Sequence, residues 1–202
     1  MLQGVGGLSS PLTPVRYNGP VPGAPPSTSM NGSYLGIVAL YLAALAVRTS
    51  YEILKEAGRL DPKNATLFII ILLDMLGLWA SWFTMCPIDP APLVVPSVVR
   101  WAGLTLVVGG FVLAVGALLQ LRGVENIDHL VTTGFFARVR HPMYLGFTLW
   151  IVGWALFHGA VISLAFGLVG IANILFWRRL EERHLESSYG DAYRAYRART
   201  WF

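Results

Sequence analysis

The chain contains few charged residues and almost no cysteine. Only 13% of its 202 residues are Asp, Glu, Lys or Arg, against roughly 25% in soluble domains. Its one cysteine, Cys86, excludes an intrachain disulfide and offers no metal-ligand spacing. Hydrophobic residues make up 55% of the chain, and the mean hydropathy is +0.58. This composition excludes an ordinary soluble domain and indicates an integral membrane protein.

Lysine is also scarce, because 13 of the 15 basic residues are arginine and only Lys55 and Lys63 are lysine. The chain has a net charge of +4. In a membrane protein, an excess of basic residues mainly determines the orientation in the membrane, so no nucleic-acid partner is predicted. No metal is predicted either. The high ratio of arginine to lysine, together with a proline-rich start, suggests a GC-rich bacterial genome and hence a bacterial inner membrane.

Residues 1–32 are rich in glycine and proline and show almost no apolar periodicity. They lack the charged start and apolar core that a signal peptide needs. They are predicted to form a disordered or surface-lying arm, followed by one membrane domain over residues 33–202.

Five apolar stretches follow the arm, and a membrane-crossing helix needs about 20 such residues. The last two stretches are separated only by His158 and Gly159, so they must form a tight helical hairpin. The sequence therefore predicts an all-α polytopic membrane bundle of about five transmembrane helices. The stretches are residues 33–52, 65–86, 99–121, 143–158 and 160–177.

The basic residues predict how this bundle is oriented. With the N-terminus outside, 13 of the 15 basic residues fall on the inner side, and only Arg16 and Arg100 lie outside. The positive-inside rule therefore selects an outside N-terminus and a C-terminal cytoplasmic helix. This topology places residues 122–142 and 178–202 on the same cytoplasmic face, where a site could be open both to lipid and to water.

The start of the fourth stretch carries the most informative polar group. Arg140, His141 and Pro142 lead into an apolar run, and proline is well tolerated in the first turn of a helix. A histidine at a helix start can titrate or donate near neutral pH. The alternative is that both basic side chains only extend to the membrane edge.

The end of the fifth stretch carries two acids, Glu181 and Glu182. Paired carboxylates can bind a ribose diol or an ammonium group. The alternative is a solvated helix with ion pairs such as Arg178–Glu182 at a spacing of four residues. Three tyrosines of this tail are predicted to share one helical face: Tyr189, Tyr193 and Tyr196.

Two further features lie inside the predicted spans. Asp74 is a carboxyl group in the middle of the second span, which suggests either a functional group or a hydrogen bond between helices. Small residues in the third span are predicted to be close-packing positions: Gly109, Gly110, Ala114 and Ala117.

Taken together, the segments 130–134, 140–146 and 181–196 resemble the isoprenylcysteine carboxyl methyltransferase family. These integral-membrane enzymes are related to the phospholipid N-methyltransferases. The resemblance covers about residues 100–200. It implies S-adenosyl-L-methionine as the cofactor, bound in a cytoplasmic pocket built from about residues 120–202. No strand, glycine-rich turn and helix unit is present that could form a dinucleotide fold.

The resemblance also implies roles for individual residues. The family's substrate-contacting arginine falls near Trp177, so Arg178 is a substitute for it, and Gln120 is a weak match to a glutamine that contacts the cofactor. The predicted catalytic residues are Arg140, Arg178 and Glu182. The predicted cofactor-binding residues are His129, Leu130, Val131, Gly134, Phe136, His141, Pro142, Met143, Tyr144 and Glu181.

The leading hypothesis is thus a membrane methyltransferase that uses S-adenosyl-L-methionine and acts on a small lipophilic or lipid acceptor at the cytoplasmic interface. Such a transfer requires mainly that donor and acceptor are aligned and that water is excluded. Two alternatives stay open, an NADPH-dependent membrane reductase of the sterol-reductase type and a non-catalytic membrane binding protein. The acceptor, its nucleophilic atom, the general base and the oligomeric state are not predicted.

Overall fold

The computed structural model describes residues 32–61, 63–121 and 130–202. The predicted N-terminal arm and His129 lie outside the described residues. Within this part of the chain the regular structure is helical, and the only β-type pairs are the isolated bridges Pro92–Ala160 and Val139–Trp201. The helices are α1 (Gly32–Glu56), α2 (Ala65–Met85), α3 (Ser97–Leu121), α4 (Pro142–His158) and α5 (Val161–Ala198).

These helices confirm the predicted all-α membrane bundle. Four of them in the described part, α1, α2, α3 and α5, are long and apolar enough to cross a membrane. Helix α4 has 17 residues, which corresponds to about 25 Å of helix at a rise of 1.5 Å per residue. That length lies at the lower limit for crossing the hydrocarbon core.

Glycines bring α3 and α4 into close contact. A methyl group added at Gly103 would lie 2.6 Å from the carbonyl oxygen of Gly153, and one added at Gly110 would lie 2.6 Å from that of Gly146. Gly110, Ala114 and Ala117 are buried, which confirms the predicted close packing at these positions. The prediction for Gly109 is wrong, because no neighbouring atom lies within 4 Å of a methyl group there. Position 109 therefore lies on a part of α3 where an added side chain would not meet α4.

The hairpin between α4 and α5 turns at Gly159, as predicted. Gly159 caps α4 in the left-handed conformation at φ 66°, which a glycine adopts without strain. The next helix is capped from a distant segment, because the backbone N–H of Ser163 donates to Oδ2 of buried Asp89 at 2.6 Å. The loop after α2 therefore fixes where α5 begins.

Large aromatic side chains form the core between α1, α2 and α5. Trp82 and Trp177 are almost completely buried, together with Tyr41 of α1. The indole N–H of Trp177 donates to Thr49 at 3.0 Å, and the Thr49 hydroxyl donates to Asn173 at 2.8 Å. This short polar chain joins α1 to α5.

The last helix continues beyond the membrane and then bends. Gly190 has φ 49° and ψ −120° and separates the helix into two parts. The predicted common face of three tyrosines is therefore wrong, because the bend lies between Tyr189 and the buried pair Tyr193 and Tyr196. After the bend, the Tyr196 hydroxyl donates to the carbonyl of Phe136 at 2.7 Å. The tail thus returns to the start of α4.

Candidate active site

The site begins where α4 begins. Pro142 occupies the first turn, and His141 is the residue before it, at φ −124° and ψ 65°, whose side chain makes no capping hydrogen bond. The backbone of this segment is held by the tail, since the N–H groups of Arg140 and His141 donate to the carbonyls of Trp201 and Phe202. His141 is only 4% exposed, so its imidazole points into the protein rather than toward the membrane edge.

Two carboxylates from α5 face this imidazole. Nε2 of His141 lies 3.3 Å from Oε1 of Glu182, and Nδ1 lies 3.7 Å from Oε2 of Glu181. On the other side, the His141 ring stacks on Tyr144 with 5.6 Å between ring centroids. The structure therefore brings together the helix start and the acids that the topology placed on one face.

This arrangement shifts the pKa values of both partners. Burial acts to lower the pKa of His141, but the carboxylates of Glu181 and Glu182 outweigh it, so the pKa is raised. Contact with His141, together with the charges of Arg140 and Arg178, lowers the pKa of Glu182 to about 2 despite burial. The site therefore favours an imidazolium paired with a carboxylate.

Arg140, two residues before the start of α4, contacts both α5 and the tail. Its Nε lies 3.2 Å from Oε1 of Glu182, and its Nη1 donates to the carbonyls of Thr200 at 2.7 Å and Arg197 at 3.2 Å. These contacts occupy the guanidinium and give it a positioning role between α4, α5 and the tail. A catalytic role for Arg140 stays a prediction. The predicted pair Arg178–Glu182 is not among the ion pairs of the described residues, because Glu182 pairs with Arg140 and His141 instead.

A small cavity lies at this junction. Most of the predicted site residues that the structure describes contribute to its wall, and Leu121 at the end of α3 adds to it. The lining residues are Leu121, Phe136, Arg140, His141, Pro142, Met143, Tyr144 and Glu181. The other predicted site residues that the structure describes are not in this wall: Leu130, Val131, Gly134, Glu182 and Arg178. The guanidinium of Arg178 lies 5.0 Å from the ring of Phe202. The assigned roles of all these residues stay predictions.

Gln120 fixes the turn that precedes the cavity. Its amide group donates to the carbonyl of Thr133 at 2.7 Å and accepts from the N–H of Phe135 at 2.9 Å. Gly134 between them has φ 58°, a conformation that favours glycine. The short 3₁₀ helix Gly134–Ala137 then carries Phe136 to the cavity. Gln120 therefore uses one donor and its acceptor oxygen to position this turn.

Sequence reasoning missed the contribution of α1. Arg48 and Glu52 form a buried ion pair on this helix, and both lie within electrostatic range of Tyr144. The sequence shows an Arg and a Glu four residues apart, which is typical of any exposed helix. Only the packing of α1 against α5 reveals that this pair is buried beside the cavity.

The chemistry of the residues present fits a cofactor that carries hydroxyl, amino and carboxylate groups. The Glu181 side chain is 44% exposed and contacts only His141 among the ion pairs of the described residues, so it retains the capacity to accept hydrogen bonds from a diol or an ammonium group. The cavity is smaller than the roughly 300 Å³ typical of small-molecule sites. Binding therefore requires that its wall opens.

Residues 98–192 match the model of the phospholipid methyltransferase family. The resemblance predicted from the motifs is thereby confirmed. The residues of this chain that match the membrane methyltransferase family include almost all of α3, the residues that line the cavity and most of α5. They include the helix start at His141 and both acids, Glu181 and Glu182.

Two curated relatives show the same similarity. Over 77 residues the chain is 44% identical to a protein-S-isoprenylcysteine O-methyltransferase of Schizosaccharomyces pombe. This alignment covers 36% of this chain and 32% of the relative. Over 81 residues the chain is 37% identical to a methanethiol S-methyltransferase of Pseudomonas deceptionensis. This alignment covers 40% of this chain and 30% of the relative. The matches thus span about a third of these relatives' lengths. No solved structure shows a significant match.

Proposed function

We propose that the protein is an integral-membrane methyltransferase that uses S-adenosyl-L-methionine and acts on a lipophilic acceptor at the cytoplasmic membrane interface. The observation that carries the proposal is that the start of α4 and the end of the apolar part of α5 line one cavity. His141, Tyr144 and Glu181 all line it. Similarity to two methyltransferases supports the reaction class.

Within this proposal, the residues of the cavity bind and orient the cofactor. Glu181 accepts hydrogen bonds from its hydroxyl or ammonium groups, and the aromatic rings of Phe136 and Tyr144 pack against it. The cofactor supplies a methyl group that is already activated by the positive charge on sulfur. The protein therefore needs to align the acceptor and exclude water rather than provide a strong acid or base.

Arg140 and Glu182 serve as positioning residues. Oε1 of Glu182 lies 3.2 Å from Nε of Arg140 and 3.3 Å from Nε2 of His141, so that Glu182 orients the imidazole while Arg140 joins Glu182 to the tail. Arg178 is proposed to contribute through its positive charge near Glu182. Leu130, Val131, Gly134, Pro142 and Met143 shape the approach to the cavity.

The cytoplasmic orientation rests on the distribution of basic residues. Thirteen of the fifteen lie on the inner side when the N-terminus is outside. The cofactor is a water-soluble cytoplasmic molecule, and the cavity lies at the inner ends of α3 and α5 in this orientation. The bacterial inner membrane is the proposed location.

Cofactor binding to the full chain in detergent micelles tests the proposal. We expect calorimetry to detect S-adenosylhomocysteine binding to the wild type and at least tenfold weaker binding to His141→Ala and Glu181→Ala. His184→Ala is the matched control. The side chain of His184 is 67% exposed, and His184 lies about one turn after Glu181 in α5. Binding of NADPH in place of S-adenosylhomocysteine would instead support a reductase, and binding of neither would support a non-catalytic protein.

The acceptor is identified by incubating the protein with methyl-labelled cofactor and extracted membrane lipids. Mass spectrometry then reveals which component gains a methyl group. A label recovered only in water-soluble material would contradict a lipophilic acceptor.

A further inference from the structure

The end of the tail is held against the segment that precedes α4. The N–H of Trp201 donates to the carbonyl of Arg138 at 3.0 Å, and the carbonyl of Trp201 accepts from the N–H of Arg140 at 3.1 Å. Val139 and Trp201 form an isolated parallel bridge. The backbone of Trp201 is thus fixed through both of its polar groups, so the fold determines where its indole ring lies.

Two neighbouring contacts place Trp201 at the depth where the membrane ends. The N–H of His141 donates to the carbonyl of Phe202 at 3.2 Å, and α4 is apolar from its first turn onward. The ring of Phe202 lies 5.0 Å from the guanidinium of Arg178, which is the first charged residue after the apolar part of α5. Trp201 therefore lies beside the ends of two apolar helices, which is the level of the lipid head groups.

Side chains that suit a membrane surface are exposed at this junction. Trp201 is 58% exposed, and the side chains of Arg138 and Arg199 are exposed beside it in the chain or across the bridge. An indole ring combines an apolar face with a polar N–H, and tryptophan is enriched at membrane–water boundaries for this reason. We refer to Arg138, Arg199 and Trp201 as the tail surface.

The two arginines of the tail surface keep their positive charge. Neither of them belongs to an ion pair within the described ranges. Arg199 lies over the ring of Tyr196 at 5.9 Å, a contact that leaves the charge in place. By contrast, Arg194 of the same tail lies 2.6 Å from Asp191 and 3.6 Å from Glu186. The tail surface therefore presents positive charge beside an exposed aromatic ring.

We propose that the tail surface binds the head groups of anionic phospholipids in the adjoining leaflet. The head-group phosphate accepts hydrogen bonds from the two arginines, and the ring of Trp201 lies among the glycerol and upper acyl groups. A water-soluble anion would match the charge but leave the ring exposed, so the combination favours a lipid. None of the three residues lines the cavity, and the inference does not depend on the proposed function.

Lipid binding at the tail surface also reinforces the start of α4. The N–H groups of Arg140 and His141 donate to the carbonyls of Trp201 and Phe202, so they are protected only while the tail is docked. A bound lipid favours the docked tail, because a ligand stabilises the conformation to which it binds. Hydrogen exchange of these two N–H groups should therefore be slower in an anionic membrane.

Native mass spectrometry of the full chain from detergent micelles measures lipid binding directly. We expect phosphatidylglycerol to be retained more strongly than phosphatidylcholine, whose head group has no net charge. A basic residue near an anionic membrane surface contributes about fivefold, so Arg138→Gln and Arg199→Gln should each reduce this preference by about that factor. Trp201→Ala should lower the retention of both lipids, because the ring contacts groups that the two lipids share.

Two other arginines provide matched controls. Arg59 is exposed in the loop after α1, and the end of α1 contacts α5 beyond its apolar part through Glu56. Arg194 belongs to the tail but is neutralised by its acidic partners. Arg59→Gln and Arg194→Gln should leave the lipid preference unchanged, whereas Arg138→Lys and Arg199→Lys keep the charge and should retain most of it.

Hydrogen exchange in nanodiscs is the second readout. Peptides that contain residues 139–141 should exchange more slowly with phosphatidylglycerol present than in pure phosphatidylcholine, and the double variant Arg138→Gln/Arg199→Gln should lose this difference. The substitutions leave the backbone hydrogen bonds of Arg138 and Trp201 available, and thermal unfolding verifies that each variant is folded. Inorganic phosphate added to pure phosphatidylcholine nanodiscs should not slow the exchange.

Three results would overturn the proposal. The first is a folded wild type that retains both lipids equally. The second is a loss of preference in Arg59→Gln or Arg194→Gln as large as in the tail-surface variants, since general positive charge would then explain the binding. The third is slower exchange with inorganic phosphate alone, which would identify a soluble anion as the occupant.

Discussion

His141 Nε2 lies 3.3 Å from the Glu182 oxygen that also contacts Arg140. The side chains of His141, Glu182 and Arg140 are 3%, 15% and 13% exposed, respectively. One carboxylate oxygen therefore faces two groups that can carry positive charge away from water, and the start of α4 is joined to α5 through this oxygen. Removal of the carboxylate leaves buried Arg140 without its carboxylate partner.

Glu182→Ala is expected to lower the free energy of unfolding by about 2–3 kcal/mol, because hydrogen bonds to charged groups contribute that much when buried. Glu186→Ala is the matched control on the same helix. Glu186 contacts Arg194 and Arg197 at 3.6 Å and 3.8 Å on an exposed surface, where an ion pair is worth less than about 1 kcal/mol. Thermal unfolding in detergent compares the two. Equal destabilisation would contradict the central role of Glu182.

The same pair predicts a pH dependence of stability. The raised pKa of His141 means that its contribution is complete below about pH 6.5, the ordinary imidazole value, and is lost as the pH rises through the raised value. The pKa of Glu182, lowered to about 2, gives a contribution that is complete above about pH 4.3 and is lost as the pH falls toward 2. Stability from this pair is therefore greatest between these limits.

Unfolding measured from pH 3 to pH 9 checks this dependence. His141→Gln should remove the loss at alkaline pH and should move the loss at acid pH to a higher pH, because contact with His141 is the main cause of the lowered pKa of Glu182. An unchanged alkaline slope in this variant would show that another group is responsible.

The contact between α3 and α4 predicts opposite outcomes at two adjacent glycines. Gly110→Ala places a methyl group 2.6 Å from the carbonyl oxygen of Gly146 and 2.7 Å from the Trp150 ring, and such overpacking costs about 1–3 kcal/mol. Gly109→Ala meets no atom within 4 Å and should be neutral or stabilising by up to about 1 kcal/mol through helix propensity. Thermal midpoints of the two variants measure the difference, and matching midpoints would refute it.

Asp89 predicts a stability effect from outside the helices. Because its Oδ2 accepts from the N–H of Ser163 at the start of α5, Asp89→Ala removes a cap and should cost about 1–2 kcal/mol. Asp61→Ala is the control, since Asp61 accepts from the N–H of Lys63 in an exposed turn. A loss of stability as large in Asp61→Ala would indicate that burial of the Asp89 bond is unimportant.

Gln120 predicts an effect on the turn before the cavity. In Gln120→Leu the N–H of Phe135 loses its acceptor, and its hydrogen exchange should be about fivefold to tenfold faster, as expected for the loss of about 1 kcal/mol. Gln120→Glu keeps an acceptor oxygen for this N–H but loses the donor to Thr133, so Phe135 should stay protected. Hydrogen exchange followed by mass spectrometry distinguishes the variants. Equal exchange rates in both variants would contradict the role of the Gln120 side-chain oxygen as the acceptor for the N–H of Phe135.

Much of the fold could be predicted because the hydrophobic pattern of a membrane helix is strong. The apolar stretches located all five helices, and the two residues between the last stretches required the hairpin at Gly159. The helix start at His141 followed from the proline after it. These features depend on neighbouring residues in the chain, and local sequence therefore suffices for them.

The remaining features depend on contacts between distant segments. Gly109 and Gly110 are equivalent in sequence, and only the orientation of α3 decides which of them faces α4. The i,i+4 spacing indicated a pair between Arg178 and Glu182, whereas Arg140 approaches Glu182 from the segment before α4, at 3.2 Å. The burial of Arg48 and Glu52 likewise follows from the position of α1, which no local pattern encodes.

The bend at Gly190 determines what supports the wall of the site. Without it, α5 would run on in a straight line, away from the start of α4. Because the chain turns there, residues 193–202 lie against the segment 136–141, which contributes Phe136, Arg140 and His141 to the cavity wall. The shape of the site is thus held by a segment that lies beyond the apolar part of α5.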